Sequence, residues 1–248
     1  MSNTFTAFLM CALAGVSTGI GSVISLFAKR TNKAFLHFAL SFSAGVMLFA
    51  SMTEIMTKSL NSFSVSFSEK QSYLYSCISF FTGMAIIFLL ERLLPENNDA
   101  LQRTGVYTAL AMGIHNFPEG LATFVSALKN PVLAIPITVA IAIHNIPEGV
   151  AVSVPIYYSS GSKKKAFFIS FLSGLCEPAG ALIGYLLLRN YMNDTVYGIL
   201  FGAVSGIMTF ISLTELIPTS INSENTEKSV IGLILGSVTM ALSLYLFK

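Results

Sequence analysis

Long apolar stretches, separated by short polar segments, run along the whole of this 248-residue chain. Runs of about 18 or more apolar residues with few charges are long enough to cross a lipid bilayer as α-helices. The pattern therefore predicts an all-α, polytopic membrane protein that forms one domain over residues 1–248. The eight predicted spans are Phe5–Ala28, Leu36–Met56, Ser72–Leu90, Leu101–Leu128, Pro131–Tyr158, Phe167–Leu188, Val196–Ile217 and Val230–Phe247.

The composition supports a membrane protein and argues against several other classes. Hydrophobic residues make up 54% of the chain and charged residues only 10%, whereas soluble domains carry about 25% charged residues. The net charge of +2 comes without a basic patch, so no nucleic-acid partner is expected. Cys11, Cys77 and Cys176 lie in separate spans without a C-x-x-C pair, which indicates neither a disulfide framework nor a thiolate zinc site.

The basic residues predict the orientation in the membrane. If both termini lie outside, nine Lys and Arg residues fall in inner loops and five on the outer side. Because cytoplasmic loops carry an excess of Lys and Arg, this arrangement is the favoured one. The nine predicted inner residues are Lys29, Arg30, Lys33, Arg92, Arg103, Lys163, Lys164, Lys165 and Lys228.

The sequence also contains an internal repeat. Residues 45–54 in the second span read GVMLFASMTE, and residues 206–215 in the seventh read GIMTFISLTE, with six of ten positions identical. The first and sixth spans share a glycine spacing, seen in Gly15 and Gly21 against Gly174 and Gly180. An offset of five spans reverses the orientation, so spans 1–3 and 6–8 are predicted to form an inverted repeat around spans 4 and 5. Such repeats are typical of transporters with a binding site near the midplane.

Two copies of one polar motif lie in the fourth and fifth spans. They are His115–Gly120, which reads HNFPEG, and His144–Gly149, which reads HNIPEG, in a chain with only 3 His residues. Positions i and i+4 of a helix share a face, so each motif places its His and Glu side by side. Imidazole nitrogen with carboxylate oxygen suits Zn²⁺, Fe²⁺, Mn²⁺ or Co²⁺, whereas Ca²⁺ and Mg²⁺ prefer oxygen alone. The candidate ligands in the motifs are His115, Asn116, Glu119, His144, Asn145 and Glu148.

The sixth span adds a third carboxylate within the membrane, Glu177, which the repeat aligns with Thr18. Ionisable groups at that depth cost roughly 3 kcal/mol each on insertion scales, so they are rare and mark functional sites. Met47 is a possible soft ligand, although filling of the core explains it equally well. Glu54 and Glu215 lie near span ends, where they either line a pathway or sit at the membrane interface.

The two H-N-x-P-E-G motifs resemble the signature of the ZIP (Zrt/Irt-like) family of metal transporters, and most closely that of its bacterial zinc transporters. The resemblance covers the whole chain, with eight spans, both termini outside and the motifs in the fourth and fifth helices. It implies uptake of Zn²⁺, and also of Fe²⁺, Mn²⁺, Co²⁺ and Cd²⁺, across the cell membrane into the cytoplasm. It further implies an elevator-like movement of one helix bundle against another, a homodimer, and no cofactor besides the transported ion.

The family also implies a binuclear site. The first metal position would fall on His115, Glu119, His144 and Glu148, with Met47 nearby. The second would fall on Asn116, Asn145 and Glu177, with Glu119 and Glu148 bridging. One departure is the loop from Leu94 to Thr104, which lacks the His-rich stretch of many members. That departure argues against metal sensing by this loop.

Two other functions are open to a membrane-embedded cluster of His and Glu. An intramembrane metallohydrolase would use an activated water and usually the spacing H-E-x-x-H, whereas this chain has H-x-x-x-E. A metal-sensing receptor would need an output domain, for which 248 residues with eight spans leave little room. An inverted repeat is explained by neither, so a transporter that is not an enzyme is the favoured interpretation.

Overall fold

The computed structural model describes residues 3–93, 99–129, 131–188, 191–221 and 226–247, and within these ranges the chain forms helices and no strand. The second, sixth and seventh helices each contain one π-helical segment, at Ser51–Ile55, Gly180–Gly184 and Ser212–Leu216. In chain order the helices are α1 (Asn3–Leu26), α2 (Lys33–Ser64), α3 (Glu69–Leu93), α4 (Ala100–Lys129), α5 (Pro131–Ser160), α6 (163–188), α7 (Asp194–Ser220) and α8 (Thr226–Phe247).

Within the described residues, seven helices are long and apolar enough to cross a membrane. They coincide with seven of the predicted spans, so the predicted all-α, multi-pass class is confirmed. The helix not among the seven is α4, which carries Arg103, His115, Asn116 and Glu119 along its 30 residues. These polar residues lower its hydropathy, and its crossing of the membrane stays a prediction.

Side-chain caps fix where several helices begin. Asn32, Ser162 and Asn193 accept hydrogen bonds from backbone N–H groups at the starts of α2, α6 and α7. Asp99 does the same for α4 by accepting from Gln102 N at 3.0 Å. The Ser159 hydroxyl also donates to Asp99, at 2.6 Å, and this hydrogen bond lowers the pKa of the Asp99 carboxyl. The start of α4 is thereby tied to the end of α5.

The helix ends meet at two faces of the bundle. We call the face where α1 begins the N-terminal face and the other the opposite face. At the opposite face, Arg103 Nη2 lies 2.6 Å from Glu91 Oε1, which joins the end of α3 to the start of α4. Arg30 Nε donates to Tyr158 O there at 2.7 Å, which joins the end of α1 to that of α5. Asn130 and residues 94–98 of the His-free loop lie outside the described residues.

Glycines let α1, α4, α5 and α6 approach one another at backbone distance. A Cβ atom on Gly21 of α1 would overlap the carbonyl oxygen of Ile146 on α5. One on Gly180 of α6 would overlap that of Phe117 on α4 in the same way. The glycines of the two motifs behave alike, since Gly149 abuts Thr18 O on α1 and Gly120 abuts Glu177 O on α6. Each contact between α1 and α5 therefore has a counterpart between α6 and α4.

The other four helices pack in two matched pairs. In the α2–α8 pair, Gly45 abuts the Leu233 carbonyl and Gly236 abuts the Phe42 carbonyl. In the α7–α3 pair, Gly206 abuts the Phe80 carbonyl and Gly83 abuts the Ala203 carbonyl. Gly45 and Gly206 are the first residues of the aligned repeat segments. Small residues that allow such approach are typical of helix interfaces in lipid, where no hydrophobic drive operates between helices.

The main apolar core lies between these two groups of helices. It joins α2 and α7 to α4 and α5 through fully buried side chains, including Met47, Met112, Val152 and Met208. A smaller core near the N-terminal face joins α1, α4 and α6. The site described below therefore lies in one group of helices and faces the other across a packed apolar layer.

The glycine contacts give a stability prediction. In Gly21→Ala the added Cβ meets the backbone of α5, which cannot move aside, so we expect a loss of about 1–3 kcal/mol, as in overpacked cores. The matched control is Gly113→Ala, whose Cβ would meet only the Cys176 Sγ at 3.2 Å. Thermal unfolding of both variants in detergent measures the difference. Equal midpoints for the two variants would contradict close backbone packing at Gly21.

Candidate metal centre

The two motifs lie near the middle of α4 and α5 and pair crosswise. His115 Nε2 of α4 lies 3.2 Å from Glu148 Oε1 of α5. His144 Nε2 of α5 lies 3.2 Å from Glu119 Oε1 of α4. All four side chains are buried. Sequence spacing places His and Glu of one motif on one face, but in the structure each His contacts the Glu of the other helix.

The four side chains keep unused polar atoms. Among the described residues, the second carboxylate oxygen of each Glu, the Nδ1 of each His and the Nε2 of His144 have no hydrogen-bond partner. Buried polar atoms in proteins are normally paired, so five such atoms in one cluster need an explanation such as an ion or water. The atoms are His115 Nδ1, Glu119 Oε2, His144 Nδ1, His144 Nε2 and Glu148 Oε2.

The donor set suits a divalent transition metal, although the side chains do not form a closed metal site. Within the described residues, no three or more His, Cys, Asp or Glu side chains form a group that could hold one ion. Instead, His115 Nε2 and Glu148 Oε1 form a hydrogen bond, and His144 Nε2 lies 3.2 Å from Glu119 Oε1 as an ion pair. An ion would therefore have to separate each imidazole from its carboxylate, and two nitrogens with two carboxylates then match the preference of Zn²⁺.

The asparagines of the motifs anchor α4 and α5 to the neighbouring helices. Asn116 Nδ2 donates to Ser173 O on α6 at 3.1 Å. Asn145 Nδ2 donates to Ala14 O on α1 at 3.0 Å. The repeat aligns Ala14 with Ser173, so the two bonds correspond. The amide nitrogens are thereby engaged, while the Oδ1 atom of each asparagine has no partner among the described residues and is free to accept a cation.

Glu177 joins this cluster from α6. Its Oε2 accepts from Asn145 Nδ2 at 2.8 Å, its side chain is fully buried, and its Oε1 has no partner in the described part of the chain. Thr18, the aligned residue on α1, is also fully buried, and its hydroxyl likewise lacks a partner there. The site is thus symmetric in its His, Asn and Glu motifs and asymmetric at positions 18 and 177.

Met47 lies on α2, fully buried in the main apolar core. One turn earlier, Ser43 Oγ donates to Pro147 O at 2.8 Å, which sets this part of α2 against the α5 motif. That contact does not distinguish between the two explanations of Met47, a metal ligand or a residue of the apolar core. The ligand role of Met47 stays a prediction.

The other candidates from the sequence lie towards the ends of the bundle. Glu54 Oε1 lies 2.7 Å from Lys58 Nζ, near the N-terminal face. Glu215 accepts from the Thr104 hydroxyl at 2.8 Å, near the opposite face. His37 Nδ1 lies 2.7 Å from Ser220 O, also near that face, and its side chain is buried.

A cavity of about 290 Å³ connects the N-terminal face to the site. Glu119 lies on its wall, whereas Lys58 of α2 and Asp194 of α7 lie towards its mouth. Neither Lys58 nor the carbonyl acceptors of Ala14 and Ser173 were predicted from the sequence. Every residue has a backbone carbonyl, so the sequence does not show which carbonyls accept hydrogen bonds. Lys58 lies near the end of a predicted span, where a lysine is not unusual.

The chain was compared with known proteins. A family model described as ZIP Zinc transporter matches residues 96–244. A protein named Zinc transporter ZupT from Clostridium perfringens is 51% identical, over 100% of this chain and 98% of the relative. Proteins of the same name from Streptococcus mutans and Chlorobium chlorochromatii are 50% and 47% identical, over 98% and 99% of this chain and 98% of each relative. The family model covers more than half of the chain, and the relatives match it over nearly its full length, so this chain is a member of the ZIP family, which is a family of zinc transporters and not an enzyme class.

Proposed function

We propose that this protein takes up divalent transition metals, with Zn²⁺ as the main substrate, across the cell membrane into the cytoplasm. The observation that carries the proposal is the crosswise pairing of His115 with Glu148 and of His144 with Glu119 inside a helical membrane protein. Membership of the ZIP family supports it, as do full-length relatives named zinc transporters. The transported ion is the substrate, and no other cofactor is proposed.

We propose that the ion enters a binuclear site. At the first position it would replace the contacts between imidazole and carboxylate, taking nitrogen from His115 and His144 and oxygen from Glu119 and Glu148. At the second position it would use the free Oδ1 atoms of the two asparagines and Glu177 Oε1, with Glu119 and Glu148 bridging. The buried oxygens without partners support this division. Met47 would add a thioether at the first position.

The range of substrates follows from the same donors. Mixed nitrogen and oxygen ligands bind Zn²⁺, and they also accept Fe²⁺, Mn²⁺, Co²⁺ and Cd²⁺, because affinity alone discriminates poorly among such ions. Hard ions that prefer oxygen alone, such as Ca²⁺ and Mg²⁺, fit the two imidazoles poorly. We therefore propose a transporter with broad selectivity among transition metals and strong selection against Ca²⁺ and Mg²⁺.

The proposed architecture has eight spans, an inverted repeat and an elevator movement. The matched glycine contacts support the repeat, since α1–α5 corresponds to α6–α4 and α2–α8 to α7–α3. The group of α1, α4, α5 and α6 holds the His, Asn and Glu ligands and would move, while α2, α3, α7 and α8 would stay fixed. The excess of Lys and Arg in predicted inner loops supports placing both termini outside. A homodimer in the lipid bilayer is proposed on the family resemblance.

Uptake into proteoliposomes tests the proposed function. The purified wild-type protein should accumulate ⁶⁵Zn²⁺, with Fe²⁺, Mn²⁺, Co²⁺ and Cd²⁺ as competitors, because the site offers ligands that these ions share. His144→Ala and His115→Ala should each lower uptake by at least about tenfold, since loss of one imidazole also leaves its Glu partner buried and uncompensated. His37→Gln is the matched control, because it also replaces a buried histidine, but one that lies near the opposite face.

Two results would contradict the proposed function. The first is high-affinity Zn²⁺ binding by the wild-type protein without any flux across a sealed membrane. The second is uptake that both His variants retain in full. The first result would favour a receptor or a hydrolase over a transporter, whereas the second would place transport elsewhere in the protein.

Glu177 gives a second prediction about the division into two positions. Glu177→Gln keeps an acceptor for Asn145 Nδ2 but removes the charge, so the first position should stay intact. We expect the variant to keep measurable ⁶⁵Zn²⁺ uptake, with a rate or an order of metal preference that differs from the wild type. His115→Ala, assayed in parallel, should lose uptake. Equal and complete loss in the two variants would argue against separate roles for the two positions.

A further inference from the structure

The cavity that reaches the site carries a fixed positive charge near its mouth. Lys58 and Phe201 lie on its wall together with Glu119, so an ion that reaches Glu119 by this cavity passes the lysine. Lys58 Nζ lies 2.7 Å from Glu54 Oε1 and 5.9 Å from the centroid of the Phe201 ring. The positive charge of Lys58 repels a metal ion that uses this route, so its position beside the route needs an explanation.

The ion pair of Lys58 with Glu54 is less exposed than an ordinary surface ion pair, so its electrostatic interaction is stronger. The Glu54 side chain is only 12% exposed and that of Lys58 is 31% exposed. Exposed pairs one helical turn apart are worth a few tenths of a kcal/mol, because water screens them. Where water is partly excluded, the effective dielectric constant is lower, so the same charges act more strongly on an ion that passes. Glu54 Oε2 is buried and has no hydrogen-bond partner among the described residues.

We propose that Lys58 determines specificity at the entrance by acting as a tethered monovalent cation that occupies Glu54 until a divalent ion displaces it. A monovalent ion gains no more from the Glu54 carboxylate than the ammonium group already gains, so it does not displace Lys58. A divalent ion has twice the Coulomb energy at the same distance, and it replaces the ammonium. The inference rests on the proposed function, and it adds a filter for charge ahead of the central site.

Lys58 and Glu54 can be tested in a double-mutant cycle, in which each variant has a defined effect on the KM for Zn²⁺ uptake. At low ionic strength we expect Lys58→Met to lower the KM for Zn²⁺ uptake by about three- to tenfold, because Glu54 then attracts the ion unopposed. Glu54→Gln should raise the KM by a similar factor. The double variant restores the net charge of the pair and should return to within about twofold of the wild type. The maximal rate should change little, since none of these side chains belongs to the central cluster.

Competition by a monovalent ion tests the filter itself. At a constant ionic strength of about 0.1 M, the bulky N-methylglucamine cation is replaced by K⁺, which keeps screening equal. The exchange should leave the KM of the wild type unchanged and raise that of Lys58→Met, where K⁺ has access to Glu54. Lys70→Met is the matched control, because Lys70 is an exposed lysine at the same face and lies outside this cavity.

The outcomes separate this inference from the proposed function. If wild-type uptake is present and is lost in His144→Ala, but Lys58→Met resembles Lys70→Met in KM and in response to K⁺, the entrance filter is wrong and transport stands. A fall in maximal rate with an unchanged KM would also overturn the filter and assign Lys58 a structural role. Absence of uptake in the wild type would overturn the proposed function itself. Unfolding midpoints of all variants in detergent show whether any loss comes from misfolding.

Discussion

Two crossed pairs between α4 and α5, His115 with Glu148 and His144 with Glu119, constrain the rest of the structure. Each helix supplies one imidazole and one carboxylate, so neither can bury its motif alone. Removing one partner of a buried charged pair typically costs about 3–5 kcal/mol, because the other charge is left uncompensated. The helices must therefore run antiparallel, in contact and in one register. The pairing thus specifies one arrangement of α4 and α5, and in the proposed function the incoming ion would replace these contacts.

The neighbouring helices hold this arrangement through backbone contacts rather than through large side chains. Glycines at the crossings allow α1 to lie directly against α5 and α6 directly against α4. The carbonyls of Ala14 and Ser173 come close enough in this packing to accept the asparagine Nδ2 protons. These bonds engage the amide nitrogens, while the amide oxygens have no hydrogen-bond partner among the described residues. Small residues far from the motifs in sequence thus decide which atoms of the motifs are available.

The sequence predicted the helices, the two motifs and Glu177, because each leaves a local pattern of apolar runs and rare polar residues. It did not predict that each His would contact the Glu of the other helix, since spacing within a helix reports only the face a residue shares. Helix ends were also missed. Residue Met56 was the predicted end of the second span, yet α2 continues to Ser64. Ser59 Oγ donates to Gly198 O on α7 at 2.7 Å, so tertiary contacts satisfy the polar end of this helix beyond the apolar run.

The two halves of the site differ at one aligned position, and that difference has a physical meaning. Asn145 donates to the backbone carbonyl of Ala14 and also to Glu177. Asn116 donates to the corresponding carbonyl, that of Ser173, and the residue that the repeat aligns with Glu177 is Thr18. A glutamate at both positions would add a fourth buried carboxylate, at roughly 3 kcal/mol on insertion scales. The hydroxyl of Thr18 avoids that cost and keeps an oxygen at the same depth. One carboxylate beyond the crossed pairs therefore makes the two sides of the cluster unequal in their charged groups, although the two motifs are alike.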